Sequence, residues 1–341
     1  MKKIVGIVVV LLLSLALLAG CGGNDNAGNG NANGNENGDV VTLRVGHVLS
    51  ADHSYQMGLE RFAELVDEKT NGSVKVQVFA NSQLGNERDL VEGMQLNTVE
   101  MGLISTGPIS GFVPEIMLFD LPYIFENTNH AEAVLDGEIG QLIDGKILDA
   151  GIRNLAWWEQ GYRSVYNNVR PIETPADMAG VSIRVMENPL MMDTFSVMDG
   201  NPTPMAWGEV YTGLQQGVID AAEGAAETAY TGGFGEVTTY GSLTKQFYSA
   251  VPLLVSESVF SNLTADQQAA LQEAAIEARD YQREIIRERE AQFLNKMEEA
   301  GVIFNEPDLA PFREIVQPLY EKYADEIGGM DLIQQVLDAA N

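Results

Sequence analysis

Arg184 lies in the run Val181-Ser182-Ile183-Arg184-Val185-Met186, and this placement constrains the chain more than any other feature. Val181, Ile183 and Val185 alternate with Ser182, Arg184 and Met186, the period of a half-buried strand. Arginine cannot shed its proton, so one buried in a strand needs an anionic partner. Arg163, in Gly161-Tyr162-Arg163, poses the same demand upstream. A bound carboxylate is the expected partner.

The rest of the composition narrows the reading. The chain has 20 Lys and Arg against 49 Asp and Glu, a net charge of −29, which falls to −31 without Lys2 and Lys3. Such a surface excludes a nucleic-acid backbone as main partner and opposes adhesion to anionic lipid. Screening over roughly 10 Å still allows a local arginine pair to attract an anion.

Residues 1–20 read as a signal peptide: Lys2 and Lys3, then an apolar run from Ile4 to Leu18 too short for a comfortable membrane span. The run ends Leu18-Ala19-Gly20-Cys21, which resembles the lipobox of bacterial lipoproteins, and the resemblance implies lipidation of Cys21. An ordinary signal peptide with a chance cysteine is the alternative. As the only cysteine, Cys21 rules out an intramolecular disulfide and a cysteine-cluster metal site. Residues 21–39 carry the lipidated cysteine and a Gly/Asn-rich flexible linker.

From Val40 onward the pattern is α/β. A strand ending at His47, a helix over Tyr55–Lys69 and an alternating strand Val74–Phe79 form a first β-α-β unit. A polar loop, Asn81 to Arg88, leads into a helix through Gln95 and a strand around Met101, with Ser105 at its end. Leu118–Phe125 reads as an irregular core-lining loop, and Ala131–Ala150 as one helix. A strand over Asn154–Trp158 runs into the Arg163 block. Thr174-Pro175-Ala176-Asp177 opens a short helix that Gly180 stops. Glu187–Val197 reads as a helix, Asn201–Pro204 as a turn or bridge, Glu209–Gln216 as a helix and Gly217–Ala222 as a strand. This second α/β unit shows no sequence relation to the first. Phe247–Ser256 is an apolar strand, with Pro252 suggesting an edge or a bulge. From Thr264, capped with Gln267, a helical pattern continues to about Ala300. At 1.5 Å per residue it exceeds roughly 50 Å, enough to pack on two domains; two helices with an unmarked break are the alternative.

Several runs resemble the solute-binding proteins of tripartite ATP-independent periplasmic (TRAP) transporters, the dicarboxylate-binding type. They include Phe79 to Arg88, Leu121-Pro122-Tyr123-Ile124-Phe125, Arg170-Pro171-Ile172 and, most specific, Pro204 to Thr212 with Leu214 to Asp220. The resemblance implies a two-domain, periplasmic-binding-protein-like hinged clamshell with a long helix crossing both domains. Residues 40–160 plus 250–289 would form domain I, and 161–249 plus 290–341 domain II. It implies a monomer, tethered outside the cytoplasm, that binds a small organic acid and delivers it to TRAP membrane subunits, with no cofactor.

Residue by residue, the resemblance places Arg184 on the ligand carboxylate and Arg163 as a second arginine that contacts ligand or supports the first. Trp207 takes the aromatic position against the ligand's carbon skeleton, or else packs in the core. Glu87 falls where an acid bonds ligand hydroxyls, or is a solvated loop acid. His47, Ser105, Trp158 and Glu187 face the expected cleft, while His53 and His130 read as surface histidines. Asp220-Ala221-Ala222-Glu223 is followed by Gly224, where many relatives have an asparagine that reaches the ligand.

An enzyme is the first rival. No Ser-His-Asp arrangement, HExxH, Walker A or GxGxxG signature occurs, and three histidines leave little acid-base capacity near neutral pH. A binding component of an ATP-driven importer, or a surface sensor, is the second. No cluster of side chains calls for a metal.

Overall fold

A computed structural model describes residues 40–340. The signal peptide, Cys21 and the linker lie outside the described residues. The described residues fold around one nine-stranded sheet in the order β2-β1-β3-β8-β4-β7-β5-β6, with β9 beside β8.

The first half is β1 (Val41–Gly46), α1 (Ser54–Lys69), β2 (Val74–Phe79), α2 (Glu87–Gln95), β3 (Met101–Leu103) and α3 (Thr106–Ile109). A 3-10 turn over Pro114–Asp120 then leads to α4 (Thr128–Leu135) and α5 (Glu138–Asp149). The expected single helix over Ala131–Ala150 is therefore two. Its break is at Gly137, where a Cβ would meet the Ala133 carbonyl oxygen at 2.5 Å.

The long strand β4 (Ile152–Asn167) crosses to the second half. There lie β5 (Ser182–Val185), α6 (Pro189–Ser196), β6 (Asn201–Pro204), α7 (Trp207–Gln215), β7 (Ala221–Gly224), α8 (Ala226–Thr231) and α9 (Phe234–Val237). Asn201–Pro204, expected as a turn or bridge, is a strand parallel to β5. The strand expected from Gly217 starts later, because Gly217 has φ +68° and forms the turn out of α7.

The long strand β8 (Tyr240–Ser256) returns, followed by α10 (Glu257–Ser261), α11 (Ala265–Glu299) and β9 (Ile303–Asn305). Three short helices, α12 (Ala310–Val316), α13 (Pro318–Tyr323) and α14 (Met330–Asp338), end the described chain. Pro252, expected at an edge or a bulge, is in β8, flanked by β3 and β4, and the register against β4 slips beside it, between Asn154 and Ala156. β3 pairs only from Leu253 onward, so on that side Pro252 meets no ladder that needs its missing N–H.

The sheet reads the same from either end. In each half the first strand lies between the second and third, all three parallel, and the third joins a long antiparallel strand. The likeness extends to individual bonds. The Arg44 N–H donates to Glu100 Oε2 at 3.0 Å, and the Ser182 N–H to Asp220 Oδ2 at 3.0 Å. The Thr98 N–H donates to the Gly93 carbonyl at 2.8 Å, and the Val218 N–H to the Gly213 carbonyl at 2.9 Å. Gly93-Met94-Gln95 and Gly213-Leu214-Gln215 thus end matching helices, with Val99-Glu100 and Ile219-Asp220 entering matching strands. The two halves are an internal repeat, contrary to the expectation of unrelated units; only these few small or turn-forming positions keep the likeness in sequence.

The helix α11 is continuous over 35 residues and carries the expected Thr264/Gln267 capping box. Leu271, Ala274, Ala275 and Ala278 pack into the core of the first half. Further along, Phe293 stacks on Tyr230 of α8 with ring centroids 4.8 Å apart. One helix therefore braces both halves. No helix among the described residues is long and apolar enough to cross a membrane.

Candidate functional site

β1 and β3 of the first half run opposite to β5 and β7 of the second, and their C-terminal ends approach the middle of the β4–β8 ribbon from opposite ends, where helix N-termini and loops converge. Val48, Leu49, Tyr55, Glu87 and Ser105 of the first half meet Gln160, Arg163, Arg184, Met186, Trp207 and Thr228 around one cavity. A second space, lined by Asn86, Pro108, Glu187, Met205 and Ala206, shares Glu87, Arg184 and Trp207 with it. Sequence reasoning singled out Arg163, Arg184, Trp207, Glu87, Ser105 and Glu187, and all six line one or both spaces.

The two arginines differ in kind. Arg163 is 2% exposed and already has an anionic partner. Its Nε donates to Glu223 Oε2, its Nη2 to Glu223 Oε1 at 2.8 Å, and its Nη1 to Gln160 Oε1. The partner expected to be a ligand is thus already present as Glu223 of the neighbouring strand β7. Arg184 is equally buried but poorly matched. Its Nε donates to the Met205 carbonyl at 2.9 Å, while Glu223 Oε1, held by Arg163, is 3.9 Å from its Nη1. Burial pulls the Arg184 pKa down to about 10, Glu223 opposing it. The guanidinium remains charged at neutral pH, 5.9 Å from the Trp207 ring centre.

Glu87 and Trp207 are the first residues of α2 and α7, so the internal repeat sets them at matching places. Glu87 is no solvated loop acid: it is buried, and its Oε1 accepts the Ser105 N–H at 2.7 Å. Burial raises its pKa, opposed by Ser105 and the two arginines. Tyr55 was read only as a helix residue. It is buried at the cavity wall, and its hydroxyl has no hydrogen-bond partner among the described residues. A cation, an acceptor, an unpaired hydroxyl and an indole face converge, a set suited to a small hydroxylated carboxylate.

Three of the expected site residues are not among those lining either space. Trp158 is fully buried in the first-half core, its ring against Gly58. His47 is buried with Nε2 bonded to Gln56 Oε1 at 2.9 Å and does not line the cavity, and burial lowers its pKa. Gly224 is not a lining residue either; it ends β7, and a Cβ there would meet no atom within 4 Å although the residue is buried. The histidines expected at the surface are inside. His53 caps α1 and touches Thr228, and His130 donates from Nε2 to the Val336 carbonyl at 2.6 Å. Both are covered by helices from distant sequence, α8 and α14. Among the described residues no group of three His, Cys, Asp or Glu is arranged to hold a metal ion.

A pseudo-symmetric α/β sheet with a braced interlobe cavity and a buried, under-partnered arginine defines a two-lobed solute-binding protein. The comparisons place it more closely: residues 45–326 match the family model of bacterial extracellular solute-binding protein, family 7. The chain belongs to that family. It is 33% identical over 300 residues to the 2,3-diketo-L-gulonate-binding periplasmic protein of Escherichia coli, covering 86% of this chain and 91% of that one. Among solved structures, a TRAP periplasmic solute-binding protein from Bordetella, with density assigned to pantoate, superposes with a TM-score of 0.85 at 38% identity over 88% of this chain and 99% of that one. Another, from Polaromonas and bound to D-erythronate, gives 0.85 at 34% identity, over 87% and 98%.

Proposed function

We propose that this protein is the extracytoplasmic receptor of a TRAP transporter, capturing a small organic acid between its two halves and passing it to the membrane subunits. One observation carries the reading. Arg184 is buried at the cavity with the nearest carboxylate already engaged by Arg163, so a bound carboxylate supplies the missing charge. Trp207 would lie against the carbon skeleton, Glu87 would accept from a hydroxyl, and Ser105 and Glu187 would complete the wall. The ligands of the relatives, all carboxylates, support the same class.

The motion we infer is a clamshell closure of residues 40–160 plus 250–289 against 161–249 plus 290–341. The β4–β8 ladder supports a hinge where its register shifts between Glu159 and Gly161 and between Arg163 and Val165. Cleavage before Cys21 and lipidation of its thiol would tether the receptor to the membrane, as a monomer with binding rather than catalysis as its task. Cys21→Ser should move the protein from the membrane fraction to the soluble one.

The test is a thermal-shift screen with pantoate, D-erythronate, 2,3-diketo-L-gulonate, D-glucuronate, succinate and uncharged analogues. A carboxylate that binds the native state raises the melting temperature. Stabilisation by none of the acids, or equally by the uncharged analogues, would remove the reading.

A further inference from the structure

Beside the arginine cavity, the start of α1 meets the start of α8 along one seam. Ser54 is the first residue of α1, and its backbone N–H donates to Glu227 Oε1 at 3.0 Å. That N–H is one of the donors a helix start cannot satisfy internally, and the helix dipole favours a carboxylate there. Here the carboxylate comes from the other half of the molecule. Arg289 of α11 lies 2.8 Å from the same Oε1 and also donates to the Asp52 carbonyl at 3.0 Å.

His53 forms the second stitch. Its Nδ1 accepts the Tyr55 N–H at 3.1 Å, so the proton of the neutral ring sits on Nε2. Nε2 then donates to Thr228 Oγ1 at 3.1 Å. Thr228 lines the arginine cavity. With its oxygen accepting from His53, its own O–H is left to donate toward an anion in that cavity.

We propose that this seam, Glu227 to Ser54 with His53 to Thr228, is the latch that holds the two halves shut over the bound acid, with Glu227 as a positioning residue. The inference rests on the receptor reading above. Neither Glu227 nor Ser54 lines the arginine cavity, so their bond stabilises the closed form without contributing to first encounter. Loss of the latch therefore acts on escape of the acid, not on its arrival.

Stopped-flow tryptophan fluorescence with the tightest binder among the five acids tests this, comparing wild type with Glu227→Gln. The expected result is dissociation faster by about tenfold or more, since a charge-assisted bond is lost, with association changed by less than about twofold. Glu227→Asp should recover part of the slow dissociation. An unaltered dissociation rate, or a loss confined to association, overturns the latch. Amide exchange of residues 53–57 at saturating acid gives a second readout. Faster exchange there in Glu227→Gln supports the seam, and unchanged exchange overturns it. If no acid binds the wild type, the receptor reading and the latch that rests on it fail together for these acids, whereas an acid that binds with dissociation and exchange unaltered in Glu227→Gln overturns the latch alone.

Discussion

Glu87 and Trp207 occupy the same place in the two halves of the sheet, each the first residue of a nine-residue helix, and both line one cavity. The repeat thus brings an acceptor and an apolar plate together around Arg184. The proposed recognition is divided by chemistry: the first half would offer Glu87, Ser105 and the Tyr55 hydroxyl, the second the cation and the indole. An acid with a carboxylate at one end and hydroxyls at the other would engage both, and its binding would draw the halves together.

Arg184→Ala should lose most carboxylate affinity, by about 2–5 kcal/mol, as for truncating one partner of a buried charge pair. The same variant should not lower the melting temperature of the ligand-free protein, because Arg184 lacks a closely engaged anion there. Calorimetry and thermal unfolding read the two effects separately. Unchanged affinity would remove Arg184 as the clamp.

Arg163 should behave in the opposite way. Its guanidinium and Glu223 are buried together, so Glu223→Gln leaves an uncompensated charge and should cost about 3–5 kcal/mol of stability. Urea denaturation of the ligand-free protein checks this. A loss no larger than that of Arg184→Ala would mean that the pair does not support the sheet.

Much of this division was legible in the sequence, for local reasons. Arg184 stood out because a strand with a two-residue period fixes which side chains are buried, whatever the rest of the chain does. The ends of α11 followed from Thr264 and Gln267, whose capping acts over three residues. What escaped notice depended on distant partners. Ala-Asp-His-Ser reads as an exposed loop, yet α8, far along the chain, covers His53 completely. Trp158 reads as a cleft residue at a strand end, but β4 continues to Asn167, placing Trp158 mid-strand under α1. Arg163 looked unpaired because its partner sits on β7, which pairs with β4 only in the folded sheet. The repeat was hidden because it survives in backbone geometry, at Asn97 with φ +57° and Gly217 with φ +68°, more than in side-chain identity.

Trp207 should report binding. Trp157 and Trp158 are almost wholly buried in core clusters, whereas Trp207 is half-buried at the cavity beside Arg184. A carboxylate settling between them changes the environment of this indole alone. Trp207→Phe should therefore abolish the ligand-dependent emission change while weakening affinity by about 1 kcal/mol, as for partial loss of aromatic contact. A fluorescence response that survives in Trp207→Phe would place the ligand elsewhere.

Asp120 should make stability depend on pH. It is buried where the turn before α4 meets the start of α6, with Oδ1 accepting from the Thr106 hydroxyl and Oδ2 from Asn188 Nδ2 at 2.8 Å. Burial raises its pKa to about 7, against the opposing pull of Thr106, Arg163 and Asn188. In the unfolded chain an aspartate titrates near 3.9. Between about pH 4 and 7 the folded state keeps a proton that the unfolded state has released, so stability falls as pH rises. The slope from this group approaches about 1.4 kcal/mol per pH unit and levels off above its folded pKa. Asp144, pushed by burial to about 6, adds a slope of the same sign, so the comparison must be made between variants. Urea denaturation at pH 5 and pH 8 should show wild type losing more stability across that interval than Asp120→Asn, which has no proton to release. Equal losses in the two proteins would show that Asp120 is ionised in the folded state throughout.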